Sequence, residues 1–230
     1  MRKRLRDKIA AALPSTARLK IYNSFDIIGD IAIIKVPSGD AADAEAVAQQ
    51  IKATHKKLKS VFIQTSAVKG DFRVRELKLL AGEDRTVTQH KEWGCLFNVD
   101  VEKCYLSPRL SYEHQRVARL VKPGETVVNM FAGVGCFSIV TAKAAPQTKI
   151  YSIDVNPVAY QYMLDNIKIN GVHDQVTALL GDSKTIIETQ LRGVADRVLM
   201  PLPELALQYL PTAVLALKNG RGWIHYYDFQ

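Results

Sequence analysis

The chain has 230 residues, of which 47% are hydrophobic and 23% charged, a balance ordinary for a globular protein able to bury a core. No apolar run approaches the roughly 18–20 residues that a bilayer crossing needs. The basic start Met1-Arg-Lys-Arg-Leu-Arg6 leads into no apolar stretch with a small-residue cleavage site, so no signal peptide is expected. Cys95, Cys104 and Cys136 are odd in number and widely spaced. That suits neither a disulfide framework nor a zinc site, and it points to a reducing, cytoplasmic setting. The net charge of +8 is unevenly placed: residues 1–125 hold 23 of the 31 basic and 15 of the 23 acidic residues, whereas residues 126–230 balance. A basic front half beside a neutral back half suggests a polyanion met mainly by the front, with a solubility device as the competing explanation.

Taken in chain order, residues 2–13 read as a short basic helix stopped by Pro14. Phe25–Pro37, rich in isoleucine and broken at Gly29-Asp30, reads as a hairpin or bulged strand. Residues 41–58 read as a helix, with Lys56, Lys57 and Lys59 on a solvated face. Val61–Ile63 and Phe72–Leu80 read as strands, and residues 86–101 as two more around Trp93-Gly94. This gives a small basic α+β unit over residues 1–104, assigned to RNA binding.

From Tyr112 helices and strands alternate. Helix 112–120 leads to strand 126–131, helix 136–145, strand 149–154 and helix 157–170, which Gly171 ends. Strand 176–180, helix 183–190, strand 196–200, helix 204–217 and strand 222–227 follow. Repeated βα units predict an α/β, Rossmann-like domain over residues 105–230, with a parallel sheet and its ligand at the carboxyl ends of the strands. Such domains normally carry two further strands, so an exposed parallel edge is expected here.

The first of these strands runs into Phe131-Ala-Gly-Val-Gly-Cys-Phe137. Two glycines one residue apart let the backbone turn tightly and approach a ligand closely. Ser138 stands where a dinucleotide fingerprint has its third glycine, which weighs against a dinucleotide-dependent oxidoreductase. The second strand ends in Ile153-Asp-Val-Asn-Pro157, where a carboxylate can accept from both ribose hydroxyls. The third ends in Gly181-Asp182, where a carboxylate can accept from an adenine amino group. Any one of these signals is weak. Together, and in this order, they look like motifs I, II and III of the class I S-adenosylmethionine-dependent methyltransferases.

The segments Ser24-Phe-Asp-Ile-Ile-Gly-Asp-Ile-Ala32, Gly70-Asp-Phe-Arg-Val-Arg-Glu76, Tyr105-Leu-Ser-Pro-Arg-Leu-Ser-Tyr-Glu-His114, Asp196–Pro203 and Gly222–Tyr227 resemble the archaeal and eukaryotic tRNA (guanine-37 N1)-methyltransferase family. Relatives in wybutosine synthesis belong to the same group. The resemblance covers nearly the whole chain. It implies transfer of the methyl of S-adenosylmethionine to N1 of the guanine beside the anticodon, with the base flipped out. That nitrogen carries a proton at neutral pH, so a general base is needed. The resemblance gives this role to Glu113, with Arg109 one helical turn away to orient it. It gives Arg73 (or Arg75) the task of stabilising charge on guanine O6, and Tyr105 that of positioning base or cofactor. Arg73 and Arg75 are both expected on the strand Phe72–Leu80, with only one of them serving the site and the other solvated or on phosphate. The implied cofactor contacts are His114, Phe131, Ala132, Gly133, Gly135, Asp154, Val155, Asn156, Asp182, Ser183 and Pro201. Cys136 is expected to be a small packed residue. The expected partner is the tRNA anticodon stem-loop, and the chain is expected to act as a monomer without metal or membrane.

Many members of that family carry Asn-Leu-Pro after the fourth strand, where this chain has Pro201-Leu202-Pro203. The missing amide leaves two other functions open. One is transfer of the aminocarboxypropyl group of the same cofactor to a tricyclic tRNA base. The other is a catalytically inactive tRNA-binding protein.

Overall fold

The structure is a computed structural model that describes residues 25–35, 41–66, 70 and 72–229. The chain divides into two compact units, one of residues up to His90 with Asp100–Lys103, the other of Lys91–Val99 with Cys104 onward. The helix expected over residues 2–13 lies outside the described residues.

In the first unit, strands β1 (Asp26–Ile28), β2 (Ile31–Ile34), β3 (Ser60–Gln64) and β4 (Leu77–Gly82) form a sheet in that order. The outer pairs are antiparallel and β2–β3 parallel. Helix α1 (Ala41–Thr54) makes the β2–β3 crossover and buries Ala44, Val47, Ala48 and Ile51 against Ala32, Ile34 and Val61. The β1–β2 turn is Gly29-Asp30, as the sequence suggests, and Gly29 takes φ 57° there. Two expectations shift. The helix stops at Thr54, so Lys56, Lys57 and Lys59 are exposed on the following loop and not on a helix face. The strand expected over Phe72–Leu80 begins only at Leu77, because residues 72–73 turn and Arg73 adopts a left-handed φ of 51°. Arg73 and Arg75 therefore share no strand, on which positions two apart would have faced the same side.

Strands β5 (Val87–Glu92) and β6 (Cys95–Asp100) form a separate two-stranded ladder. Their connection Trp93-Gly94 has φ of 47° and 78°, the doubly positive pair of a tight hairpin turn.

The second unit holds a parallel five-stranded sheet in the order β11-β10-β7-β8-β9. The strands are β7 (Thr126–Asn129), β8 (Lys149–Asp154), β9 (Val176–Leu180), β10 (Arg197–Met200) and β11 (Trp223–Tyr226). The helices are α2 (Ser111–Leu120), α3 (Cys136–Ala144), α4 (Pro157–Ile169), α5 (Ser183–Gln190) and α6 (Pro203–Ala216). Helices α5 and α6 cover one face, where Ile186, Ile187, Ala206 and Ala213 meet Val128, Ile153, Val198 and Met200. Helix α2 packs on α3. Successive connections lead away from β7 in opposite directions, to β8 and β9 on one side and to β10 and β11 on the other. Such a reversal opens a crevice at the carboxyl ends of the central strands. Trp223 on the edge strand β11 is 66% exposed.

Two asparagines four residues apart, Asn166 on α4 and Asn170 capping its carboxyl end, do the work of a neighbouring strand. Asn170 exchanges bonds of 2.9 and 2.7 Å with the N–H and C=O of Leu96, and Asn166 exchanges 2.7 and 3.1 Å with those of Asn98. Asn166 also donates to the Val134 carbonyl at 3.0 Å, inside the glycine loop. Replacing Asn166 by Asp keeps the acceptor and removes both donations, leaving two buried carbonyls facing a carboxylate. Urea unfolding of Asn166→Asp is expected to show a loss of roughly 2–5 kcal/mol.

Candidate active site

The glycine loop joins β7 to α3 at the switch point. Ala132 N–H donates to Ile153 O at 2.8 Å, which ties the loop to the end of β8. Gly133 and Gly135 have φ of 55° and 94°, conformations closed to most side chains. A Cβ on Gly135 would come within 3.1–3.2 Å of Ile139 and Met163, so the turn is also closely packed.

Asp154, the last residue of β8, faces this loop. One carboxylate oxygen accepts from Gly133 N–H at 2.6 Å and the other from Asn156 N–H at 2.9 Å. Burial pushes its pKa above the usual carboxylate value, and the two backbone donors offset part of that rise. Each oxygen keeps a lone pair, so ribose hydroxyls can still be received. Asn156 is spent differently: its Oδ1 caps α4 through Val158 and Ala159 N–H, the usual work of an N-cap asparagine. Val155, beside them, is 42% exposed and offers an apolar surface.

Asp182 ends the β9 loop and caps α5 through Thr185 N–H at 3.0 Å, while Tyr209 donates to its other oxygen at 2.5 Å. Burial alone would raise this carboxyl; the bonds from Tyr209 and Thr185 outweigh it, and its pKa is lowered. Tyr209 also meets the Phe131 ring edge-on at 5.3 Å. Ser183 is buried and donates to the Met130 carbonyl. Leu180, at 48% exposure, is apolar surface at the end of β9. An adenosine-bearing ligand suits this edge: carboxylates for hydroxyl and amino donors, exposed apolar side chains, and close-approach glycines. Tyr209 was not among the residues singled out from sequence, since nothing local marks a helix tyrosine as reaching the end of β9.

Glu113 lies in the first turn of α2. Arg116 grips it with two bonds of 2.7 Å and Tyr227, just past β11, donates at 2.6 Å. The guanidinium on Glu113 is thus that of Arg116 and not of Arg109, which lies on the short turn Pro108–Leu110 and is exposed. Helical spacing allowed i+4 and i+3 partners alike; the 3₁₀ start of this segment takes Arg109 off the α2 register. Arg116 first, then Tyr227, hold the Glu113 carboxyl below its ordinary value of 4.5 despite burial. In return, burial and Glu113 raise the Tyr227 hydroxyl. Nearby, His225 is pushed down to about 4 by burial, then by Arg197 and Arg116. It is therefore neutral at pH 7 and accepts from Arg197 at 2.8 Å.

Tyr105 is half-buried, and its carbonyl lies 3.5 Å from where a Gly133 Cβ would stand. His114 is 4% exposed and bonded at 2.7 Å to Glu92, with Phe137 edge-on at 4.4 Å. Pro201 is half-buried between β10 and α6. Arg73 and Arg75 belong to the first unit. Arg75 is 6% exposed and donates to Val101 O at 3.1 Å, which is a structural task. Arg73 is more exposed, on its turn, with its N–H bonded to Gly70 O at 3.0 Å.

Comparison with known proteins gives this geometry its setting. The TRM5/TYW2 methyltransferase domain matches residues 88–230, and the TYW2 N-terminal domain residues 5–86. The tRNA (guanine(37)-N(1))-methyltransferase Trm5b of Pyrococcus abyssi is 42% identical over 94% of this chain and 63% of its own. Its crystal structure superposes with a TM-score of 0.83 over the same shares of the two chains. The chain thus spans less than two thirds of that relative's length. The tRNA 4-demethylwyosine(37)-methyltransferase Taw21 of Saccharolobus solfataricus is 41% identical over 90% of this chain and 78% of its own. The structure of P. horikoshii TYW2 in complex with MeSAdo has a TM-score of 0.74 at 29% identity, covering 96% of this chain and 78% of that one. The fold, the order of the motifs and these matches agree: the chain belongs to the TRM5/TYW2 methyltransferase family.

Proposed function

We propose that this chain binds S-adenosylmethionine at the carboxyl edge of the β7–β9 strands and methylates N1 of guanine 37 in tRNA. The observation that carries the reading is Glu113, an ionised carboxylate clamped by Arg116 and Tyr227, in the same unit as the Gly133–Asp154 loop. Asp154, Asp182, Gly133, Phe131, Ala132 and Val155 would hold the cofactor, which supplies a methyl group made electrophilic by its sulfonium. In the transfer, the N1–H bond of guanine and the carbon–sulfur bond of the donor break. A carbon–nitrogen bond forms at N1, and Glu113 takes the proton. Arg73 is proposed to meet developing charge on O6. Its left-handed backbone is the kind of outlier that gathers at functional sites. Phe72, 46% exposed beside it, suits stacking on an unpaired base. The basic first unit is proposed to contact the anticodon stem-loop of tRNA. No described helix is long and apolar enough to cross a membrane, and we place the protein in the cytoplasm, acting as a monomer.

A second reading keeps fold and cofactor and changes the group transferred. The match of residues 5–86 to the TYW2 N-terminal domain favours aminocarboxypropyl transfer, and the proline at 201, in place of the family's asparagine, leaves the transferred group open. Incubating the full chain with labelled cofactor and unmodified tRNA, followed by nucleoside mass spectrometry, separates the two. One added methyl at guanine 37 supports the first reading. No methylation of guanosine, with aminocarboxypropyl added to a 4-demethylwyosine-containing tRNA, supports the second.

Glu113→Gln is expected to lower kcat about 10²–10⁴-fold while cofactor binding persists, as measured by single-turnover kinetics and calorimetry. Its pKa is depressed, so its contributions to stability and to catalysis are present above the ordinary carboxylate range and lost as pH falls through the lower folded value. A plot of kcat/KM against pH should therefore show no acid limb from Glu113 between pH 5 and 7. Tyr227→Phe should move that limb upward, and Arg116→Ala should move it further, because Arg116 is the larger cause. Limbs that stay fixed in both variants would remove Glu113 as the base.

A further inference from the structure

One cluster in the second unit is left unexplained by the chemistry above, although the family resemblance counts one of its members, His114, among the cofactor contacts. Glu92 ends β5, His114 lies in the first turn of α2, and Cys136 opens α3. All three are buried, at 7%, 4% and 8% exposure. One nitrogen, sulfur or carboxylate oxygen from each lies within 4.8 Å of those of the other two. Cys95, the first residue of β6, is fully buried beside them. Burial raises the Cys136 thiol well above its usual value, and the charges of Glu92 and Cys95 add to the rise, which places both within electrostatic reach.

Taking a carboxylate, an imidazole and a thiol out of water together is expensive unless something compensates their polar atoms. The 2.7 Å bond between His114 Nδ1 and Glu92 compensates two of the three groups and leaves the thiol aside. Carboxylate oxygen, imidazole nitrogen and thiolate sulfur are the side-chain donors that zinc takes, at about 2.0–2.3 Å. Those bond lengths put tetrahedral ligands roughly 3.3–3.7 Å apart, within the observed spacing. The Glu92–His114 pair, now 2.7 Å apart, needs to part by only about 0.6 Å to admit an ion on these lengths.

We propose that Glu92, His114 and Cys136 form a binding site for a divalent cation of zinc type, with Cys95 or water in the fourth position. On loading, the Cys136 sulfur–hydrogen bond breaks and its proton leaves to solvent, the proton shared by His114 Nδ1 and Glu92 moves to His114 Nε2, and the thiolate lone pair forms the metal–sulfur bond; a Cys95 thiolate in the fourth position would release one proton more, and no electron is transferred. With water in the fourth position, Glu92 and the Cys136 thiolate together neutralise the dication; with Cys95 there, the site carries one net negative charge. The ion would fasten the β5–β6 hairpin, α2 and the start of α3 together, one residue past Gly135. Affinity is expected to rise with pH, because loading releases a proton.

The test is a titration of the full chain, stripped of metal and kept reduced without added thiols, with cobalt(II) chloride and then zinc chloride. The expected result is a sulfur-to-cobalt charge-transfer band and strong tetrahedral visible bands. These should saturate at one equivalent, disappear on adding one equivalent of zinc, and be absent in Cys136→Ser. Glu92→Gln and His114→Gln should each weaken binding at least tenfold. In Cys95→Ser a halved charge-transfer band marks Cys95 as the fourth ligand and an unchanged one marks water; either supports the site. X-ray absorption of the zinc-loaded wild-type chain covers the case where Cys136→Ser does not fold, and should show one or two sulfurs at about 2.3 Å. No cobalt band in a chain that circular dichroism shows folded, a band that survives in folded Cys136→Ser, or a zinc shell without sulfur would overturn the proposal. None of these readouts depends on methyl transfer, so failure here leaves the proposed activity standing, and the reverse holds too.

Discussion

The crevice depends on one short bond, from the N–H of Gly133 to the carboxylate of Asp154. Through it the glycine loop, which must leave β7 in a left-handed conformation, is fixed to the end of β8. A carboxylate partly removed from water resists ionisation, and here two backbone donors counter that resistance. The same atoms that hold the loop therefore offset part of the cost of charging Asp154, whose pKa stays raised by burial. Because β7 and β8 are parallel neighbours, the loop and the carboxylate emerge at the same edge. Asn166 adds a second tie from α4 to Val134, so the loop is held from two sides.

Glu113 shows a different balance. A base should be charged at working pH yet not so stabilised that it refuses a proton. Arg116 and Tyr227 settle the first requirement by depressing the pKa, at some loss in the second. On the proposed function, a bound guanine that displaced the Tyr227 hydroxyl from Glu113 would restore the proton affinity that a base needs. His225, pushed down to about 4 by burial and the arginines, is neutral at pH 7; where it is charged it lowers Glu113 a little further, after Arg116 and Tyr227.

What was legible in the sequence was local. The βα alternation, the paired glycines before α3 and the acidic residues closing β8 and β9 all sit within a few residues of the turns that need them, so spacing alone revealed them. The Gly29-Asp30 turn and the Trp93-Gly94 turn were readable for the same reason. What escaped was assembled by the fold. Tyr227 reaches Glu113 across 114 positions, Tyr209 reaches Asp182 across 27, and Asn166 and Asn170 grip a hairpin some 70 residues earlier. Glu92, His114 and Cys136 converge with no motif spacing at all. The strand misplaced at Phe72 failed on backbone grounds, since a positive φ at an arginine leaves no mark in residue type. The sequence pointed to Arg109 as the partner of Glu113 and passed over Arg116 at i+3, which the 3₁₀ start of the segment makes the actual one.

The central claim is that the Gly133–Asp154 edge is where S-adenosylmethionine binds. Isothermal titration of this cofactor into the wild-type chain and into Asp154→Ala addresses it most directly. One site per chain is expected, with affinity in the variant reduced roughly 10–100-fold, the share of charge-assisted bonds to the ribose. Binding by the folded variant as tight as by the wild type would contradict the claim and move the cofactor away from this edge.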